Sequence, residues 1–183
     1  MKRRLFLQFP LLATMAANAQ SQTKEHPKKG IKVDAGKDCD QQELFIMGGQ
    51  FDCKVSSKST NGQLCIYDTV RQEKGGPALH LHHNQDEWFY IIKGEFKVKV
   101  GEDEFNLKAG DSAFAPRKIP HAFAKISEGE GQMLVLFQPA GSMEDFFKQM
   151  SKLGKNIPKD QEHKLKELWH AHGMEIVGPP LKF

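Results

Sequence analysis

Four residues carry the chemistry that this sequence offers most plainly. His80 and His82 are separated by one residue, Glu87 follows after four more, and His121 lies further along the chain. On a β-strand the side-chain period is two, so His80 and His82 share a face. A tight turn at Asn84-Gln85-Asp86 sends the chain back, which lets Glu87 at the start of the next strand stand beside the two imidazoles. If the strand that opens at His121 faces the same interior, three imidazoles and one carboxylate converge. That donor set suits one divalent first-row metal ion, with coordination positions left for water or substrate. Imidazole and carboxylate accept Fe, Mn, Ni, Cu or Zn, so the identity of the metal stays open. Glu87 is also the candidate catalytic residue, since a carboxylate released from a metal can take a substrate proton. His83 points away from its neighbours and is expected at the surface. His163, His170 and His172 fall on a terminal helix, where interaction with its C-terminal end is the ordinary role.

The elements that must position these residues are short. Between residues 43 and 138, ten β-type runs are separated by turn residues: 44–47, 51–55, 64–67, 78–82, 87–92, 96–100, 104–107, 112–115, 121–126 and 133–137. Phe96, Val98 and Val100 alternate with Glu95, Lys97 and Lys99, the pattern of a half-buried strand. Such regular spacing, with hairpin-grade separators such as Lys93-Gly94 and Gly101-Glu102-Asp103, points to an antiparallel sandwich or barrel and not to a βαβ fold. After Pro139 the period changes to that of a helix. Ser142 and Asp145 are spaced as a capping box, Phe146, Phe147, Met150 and Leu153 form an apolar stripe, and Gly154 ends it. A second helix is expected from about Lys159, with Leu165, Leu168, Trp169 and His172 on one stripe and Gly173 as its stop. Both stripes read as core contacts against the sheet layers.

The two site-bearing stretches resemble the signature motifs of the cupin superfamily. His80-Leu81-His82, four residues, Glu87, six residues and Gly94 agree with the first motif in type and spacing, and Gly110, Pro116 and His121 agree with the second. Lys118 stands where the second motif has a further Gly, Lys125 where Asn is common, and the Gly ahead of His80 is not at the usual distance. None of these departures touches a ligand position. The resemblance covers roughly residues 75–139. Within the superfamily, the His-x-His-His run, the sequence Asp86-Glu87-Trp88-Phe89-Tyr90 and the helix after the barrel are most similar to small cupins called quercetin dioxygenase-like.

The resemblance implies an all-β jelly-roll barrel of cupin type over residues 43–140, with two C-terminal helices packed outside it in an extension spanning 141–183. It also implies a metal-dependent, oxygenase-like enzyme acting on a small enol or aromatic substrate. Redox-neutral isomerase, decarboxylase or lyase chemistry is a second reading, and non-catalytic capture of a small ligand is a third. Fold does not choose among them. The strand from Glu87 is apolar on both faces, so one face lines the lumen and the other must be covered by N-terminal strands, the helices or a second subunit, which leaves a homodimer open. Phe89, Ile91 and Phe123 are the candidate walls of the substrate pocket.

Residues 1–19 read as an export signal: Lys2, Arg3 and Arg4, an apolar run to Ala17, and a small-x-small site at Ala17-Asn18-Ala19. Arg3-Arg4-Leu5-Phe6-Leu7 resembles the twin-arginine motif, with a general secretory signal equally compatible. Either route places the protein in the periplasm or outside the cell. The apolar run is too short for a stable membrane span. Residues 20–42 are a polar, flexible lead-in. The chain of 183 residues has 26 Lys and Arg against 23 Asp and Glu, and removal of the export segment leaves 23 against 23. A neutral mature chain gives no electrostatic reason for a nucleic-acid partner. Of Cys39, Cys53 and Cys65, the last two lie in neighbouring strands and are the candidate disulfide pair, with three buried thiols as the alternative.

Overall fold

The computed structural model describes Pro27, residues 29–154 and residues 162–182. The export segment 1–19 lies outside the described residues, as does Lys159, the expected start of the second helix. Each of the ten expected β-runs forms a strand: β1 (Leu44–Ile46), β2 (Gly49–Val55), β3 (Cys65–Arg71), β4 (Ala78–His82), β5 (Asp86–Lys93), β6 (Glu95–Val100), β7 (Asp103–Lys108), β8 (Ser112–Ala115), β9 (His121–Lys125) and β10 (Gly131–Gln138). The helices are α1 (Met143–Leu153) and α2 (Glu162–Ala171), and a strand β11 (Met174–Pro180) follows them. Gly173, with φ 75°, stops α2 and turns the chain into β11.

The strands make two antiparallel sheets, one ordered β1-β2-β3-β10-β5-β8 and the other β11-β4-β9-β6-β7. This is a cupin-type jelly-roll layering, with the core between the sheets. Alternation along the strands sends Phe96 and Val98 of β6, Cys65, Tyr67 and Thr69 of β3, and Met133, Val135 and Phe137 of β10 into that core. The sequence reading gave the tail after Gly173 no element of its own. In the structure β11 pairs with β4, with Met174 opposite His82 and Ile176 opposite His80, so the tail covers the edge of the strand that carries two candidate ligands.

Two glycine-related positions matter to the site. A Cβ on Gly76 would lie 1.9 Å from the Phe123 carbonyl oxygen, so only Gly lets the approach to β4 run this close to β9. Lys118, where the second motif has Gly, adopts φ 66° and its N–H donates to the His82 carbonyl at 2.7 Å. The left-handed conformation is thus retained without the residue that adopts it freely. Lys125, in the motif's Asn position, is buried, and its Nζ donates to the carbonyls of Gln72 and Ser127 at 2.9 Å each. Among the described residues no helix is long and apolar enough to cross a membrane.

Candidate metal centre

His80, His82, Glu87 and His121 converge, with one ligand atom from each lying within 4.8 Å of all the others, and all four are buried. Their route to this point differs from the simple hairpin expected from the sequence. β4 and β5 belong to opposite sheets, so the turn after His83 carries the chain across the sandwich. Glu87 therefore reaches the imidazoles from the facing sheet and not from a neighbouring strand. His80 and His121 are direct cross-strand partners in the β4–β9 pair, which brings their ring centroids to 4.6 Å. His82, two residues on, shares the face, and its ring stacks on that of His121 at 5.3 Å with 6° between the planes.

The ring nitrogens are already sorted by role. The Nδ1 of His80 lies 2.8 Å from the Ala78 carbonyl, and the Nδ1 of His121 lies 2.8 Å from the Ile119 carbonyl. A carbonyl only accepts, so each Nδ1 carries the proton that it donates, and Nε2 is the nitrogen turned to the centre. Glu87 Oε2 lies 2.8 Å from His121 Nε2, 3.2 Å from His82 Nε2 and 4.0 Å from His80 Nε2. Both ring nitrogens of His82 are buried without a hydrogen-bond partner. Unpaired buried polar atoms are costly, and a cation held between His82 and Glu87 would satisfy the Nε2.

Electrostatics favour the same use. Burial, helped by His121 and His82, lowers the His80 pKa to about 3, so this imidazole is neutral and free to ligate at ordinary pH. Burial works to raise the Glu87 pKa, but the neighbouring His121 and His82 imidazoles outweigh it and hold the carboxyl well below its usual range. Burial works to lower the His121 pKa, and the Glu87 carboxylate overrides it to give a net rise. In the metal-free protein His121 and Glu87 thus form a proton-bridged pair. The donor set of three imidazoles and one carboxylate fits a first-row divalent ion, and His80, His82, Glu87 and His121 would hold it.

The centre faces a mostly apolar cavity of about 50 Å³. Of the three candidate pocket residues, Phe123 lines this cavity, and Phe89 and Ile91 do not. Phe89 packs against the Phe123 ring at 5.8 Å and Ile91 is fully buried in the core, so the cavity ends at Phe123, short of the two positions further along β5. The helices lie outside the sheets, yet their stripes do more than cover a wall. Phe146, Phe147 and Met150 of α1 and Trp169 of α2 line the cavity, and the Trp169 ring stands edge-on to His80 at 4.8 Å. Arg71 at the end of β3 also lines it, buried and with its guanidinium 5.6 Å from the Phe123 ring centre. Trp169 Nε1 and Arg71 Nε are both buried without a hydrogen-bond partner.

The sequence reading gave Arg71 and Trp169 no part in the site. The available signals were a charged residue closing an inward-facing alternation in β3, and an indole on the apolar stripe of α2. His172, expected at a helix end, instead ties the helices: its Nδ1 lies 2.9 Å from Ser142 Oγ and its Nε2 lies 3.0 Å from Gln149 Nε2. The Ser142 hydroxyl is thereby engaged and makes no cap on α1, so the expected capping box does not form. His83 is at the surface, 3.8 Å from a carboxylate oxygen of Glu175.

Residues 69–137 match the cupin domain family. A curated but uncharacterized protein of Methanocaldococcus jannaschii is 31% identical over 67 residues, covering 37% of this chain and 54% of that protein. The 3-hydroxyanthranilate 3,4-dioxygenase of Pyricularia oryzae is 32% identical over 89 residues, covering 44% of this chain and 48% of the enzyme. The chain thus spans about half the length of the curated relatives it matches. A solved RmlC-like cupin from Shewanella frigidimarina is 28% identical with a TM-score of 0.46, covering 56% of this chain and 88% of that one.

Proposed function

We propose that this cupin is a metal-dependent, oxygenase-like enzyme whose substrate is a small enol or related molecule with acceptor oxygens. The observation that carries the reading is the meeting of the four-residue donor set with a cavity whose lining residues include the unpartnered Nε of Arg71 and Nε1 of Trp169. A cavity furnished with donors and a cation selects a ligand that accepts. Its volume of about 50 Å³ admits only a few water-sized groups, so small enols fit and a flavonol-sized substrate requires the α1 and α2 side chains to move aside. The match to a dioxygenase over part of its length supports the same direction.

When bound, the metal ion would supply Lewis-acid stabilisation of a deprotonated substrate oxygen and, with a redox-active ion, electron transfer to oxygen. The chain's own residues do the remaining work. Glu87 Oε2 takes the hydroxyl proton of the substrate, and the bond from His121 Nδ1–H to the Ile119 carbonyl keeps the His121 Nε2 turned to the centre. Arg71 Nε–H and Trp169 Nε1–H donate to the substrate's other oxygens, orienting it. Phe123, Phe146 and Phe147 keep bulk water from the cavity.

Oxygen uptake tests this directly. Protein loaded in turn with Fe, Mn, Ni, Cu and Zn is given small enols and catechols, and consumption is expected with at least one redox-active ion and none with Zn. Product formed without oxygen would move the assignment to isomerase, decarboxylase or lyase chemistry. No turnover with any ion would leave the ligand-binding reading.

A further inference from the structure

Cys39 and Cys53 lie apart from the metal centre and have no part in its chemistry. The Cys39 N–H donates to the Cys53 carbonyl at 2.9 Å, and the two thiols are near enough to influence each other's ionisation. Asp38 fixes the approach, one carboxylate oxygen accepting from the Cys53 N–H at 2.8 Å and the other from the Asp40 N–H at 2.7 Å. The end of the lead-in is thus laid against β2 by backbone bonds that hold the two sulfurs in register. Cys65 is fully buried on β3, and no such contact brings it to Cys53. The strand neighbours of Cys53 also exclude it: Cys53 is opposite Tyr67, and Cys65 is opposite Phe137.

We propose that Cys39 and Cys53 are a dithiol–disulfide pair, oxidised by exchange with a disulfide-bearing oxidant, and that Cys65 stays a thiol. The two cysteines have unequal roles. Cys39 is half-buried and lines a surface cleft with Lys37 and Gln42, so an oxidant reaches it. Cys53 is buried, and its S–H is turned to the Glu144 carboxylate at 3.8 Å. Burial raises the pKa of both thiols, and the presence of Cys53 partly opposes the rise at Cys39 whereas Cys39 adds to it at Cys53, so the more exposed sulfur is also the more readily ionised. Cys39 is therefore the attacking sulfur and Cys53 the resolving one. The Cys39 thiolate displaces one thiol from the oxidant and forms a mixed disulfide. The Cys53 thiolate then attacks the Cys39 sulfur and releases the second thiol. Two protons leave the cysteines, two electrons pass to the oxidant, and one S–S bond is made for the one broken.

The bond would have a consequence for the neighbouring helix. The Cys53 thiol also lies 3.8 Å from the Glu144 carboxylate of α1, which accepts from the Ser57 N–H at 2.7 Å and Oγ–H at 2.9 Å. Oxidation removes a thiol donor from that carboxylate and fixes residues 38–39 to β2 beside α1, the helix whose other face lines the cavity.

The sequence provides a clean assay. No Lys or Arg lies between residues 38 and 53, so Cys39 and Cys53 share the tryptic peptide 38–54, whereas Cys65 falls in the peptide 59–71. Full-length protein is equilibrated with oxidised and reduced glutathione in graded ratios, quenched by alkylation, digested and weighed. The expected result is a 38–54 peptide two hydrogens lighter and free of alkyl groups, with the 59–71 peptide fully alkylated. The oxidised protein should melt on the order of 5–10 °C above the reduced form, from closure of a short loop in the unfolded chain. Cys65→Ser should leave the internal bond intact, and Cys39→Ser should abolish it. A cross-link between the two peptides, or alkylation of both cysteines of 38–54 in oxidised glutathione alone, would overturn the proposal, and the wild-type map reads either outcome without a variant.

Discussion

Replacing His121 by Ala removes one metal ligand and strands the buried Glu87 carboxylate that it contacts at 2.8 Å. Metal affinity is expected to fall by more than about 100-fold, beyond the range seen for groups that only support a ligand. Calorimetric titration of the wild type and the variant with Zn or Co checks this. Loss of a buried partner is also expected to cost the metal-free protein about 3 kcal/mol, read by urea unfolding. The raised His121 pKa sets the sign of a pH effect. A group whose pKa rises on folding stabilises the fold fully below its unfolded value, ~6.5 for His, and that contribution fades as pH climbs through the folded value. Metal-free wild type is therefore expected to lose melting temperature above neutrality through this pair, and His121→Gln to lack that component. The same proton must leave when metal binds, so Zn added near pH 7 to unbuffered protein should acidify the solution.

These four candidate ligands were legible in the sequence because their types and spacing are distinctive, although the arrival of Glu87 from the facing sheet was not. Arg71, Trp169 and the Cys39–Cys53 contact were not. Each depends on which elements face one another, and alternation within a strand carries no record of that. Phe89 and Ile91 show the same limit. Both face inward on β5, as the period of two requires, but how far the cavity reaches along the strand is set by Phe123 on the opposite sheet.

Among the elements, the strands were readable from turn chemistry and alternation, whereas the last strand was hidden. β11 contains Gly178, Pro179 and Pro180, residues that weaken any reading of a strand from sequence, and it is stable as an edge beside β4. Helix α2 was expected to cover a wall and instead places an indole against His80. Trp169→Phe keeps the ring and deletes the donor, so stability should change little, while affinity for a small enolate should drop roughly 5-fold, the measure of about 1 kcal/mol for one hydrogen bond. An unchanged affinity by titration would remove Trp169 from substrate recognition. At the β8–β9 connection, Lys118→Gly should raise stability by about 1 kcal/mol, because Gly adopts the observed φ of 66° without penalty. Gly76→Ala should lower stability by about 1–3 kcal/mol, since its Cβ would meet the Phe123 backbone. Both are checked by denaturant midpoints.

For the whole molecule, the sheets, helices and cavity form a unit in which the candidate metal ligands come from both layers: His80, His82 and His121 from one sheet and Glu87 from the other. Metal binding would therefore brace the sandwich across its core. We propose that this unit works after export, from the order of Lys2, Arg3 and Arg4, the apolar run and the Ala17-Asn18-Ala19 site. N-terminal sequencing of secreted protein should begin at Gln20. Changing Arg3 and Arg4 to Lys should block export on the twin-arginine route and leave the general route unaffected, and retention of the intact N-terminus in the cytoplasm with the native signal would contradict export. A compartment outside the cytoplasm would also supply the oxidising conditions under which the Cys39–Cys53 pair closes.

The central claim is that His80, His82, Glu87 and His121 hold one metal ion. Elemental analysis of purified protein, loaded by dialysis against Fe, Mn, Ni, Cu or Zn and then freed of excess, tests it most directly. The expected result is about one ion per chain for the wild type and near-total loss in the His82→Ala and His121→Ala double variant, with circular dichroism showing that the variant still folds. Full occupancy in that folded double variant, or a wild type that retains none of the ions, would contradict the account.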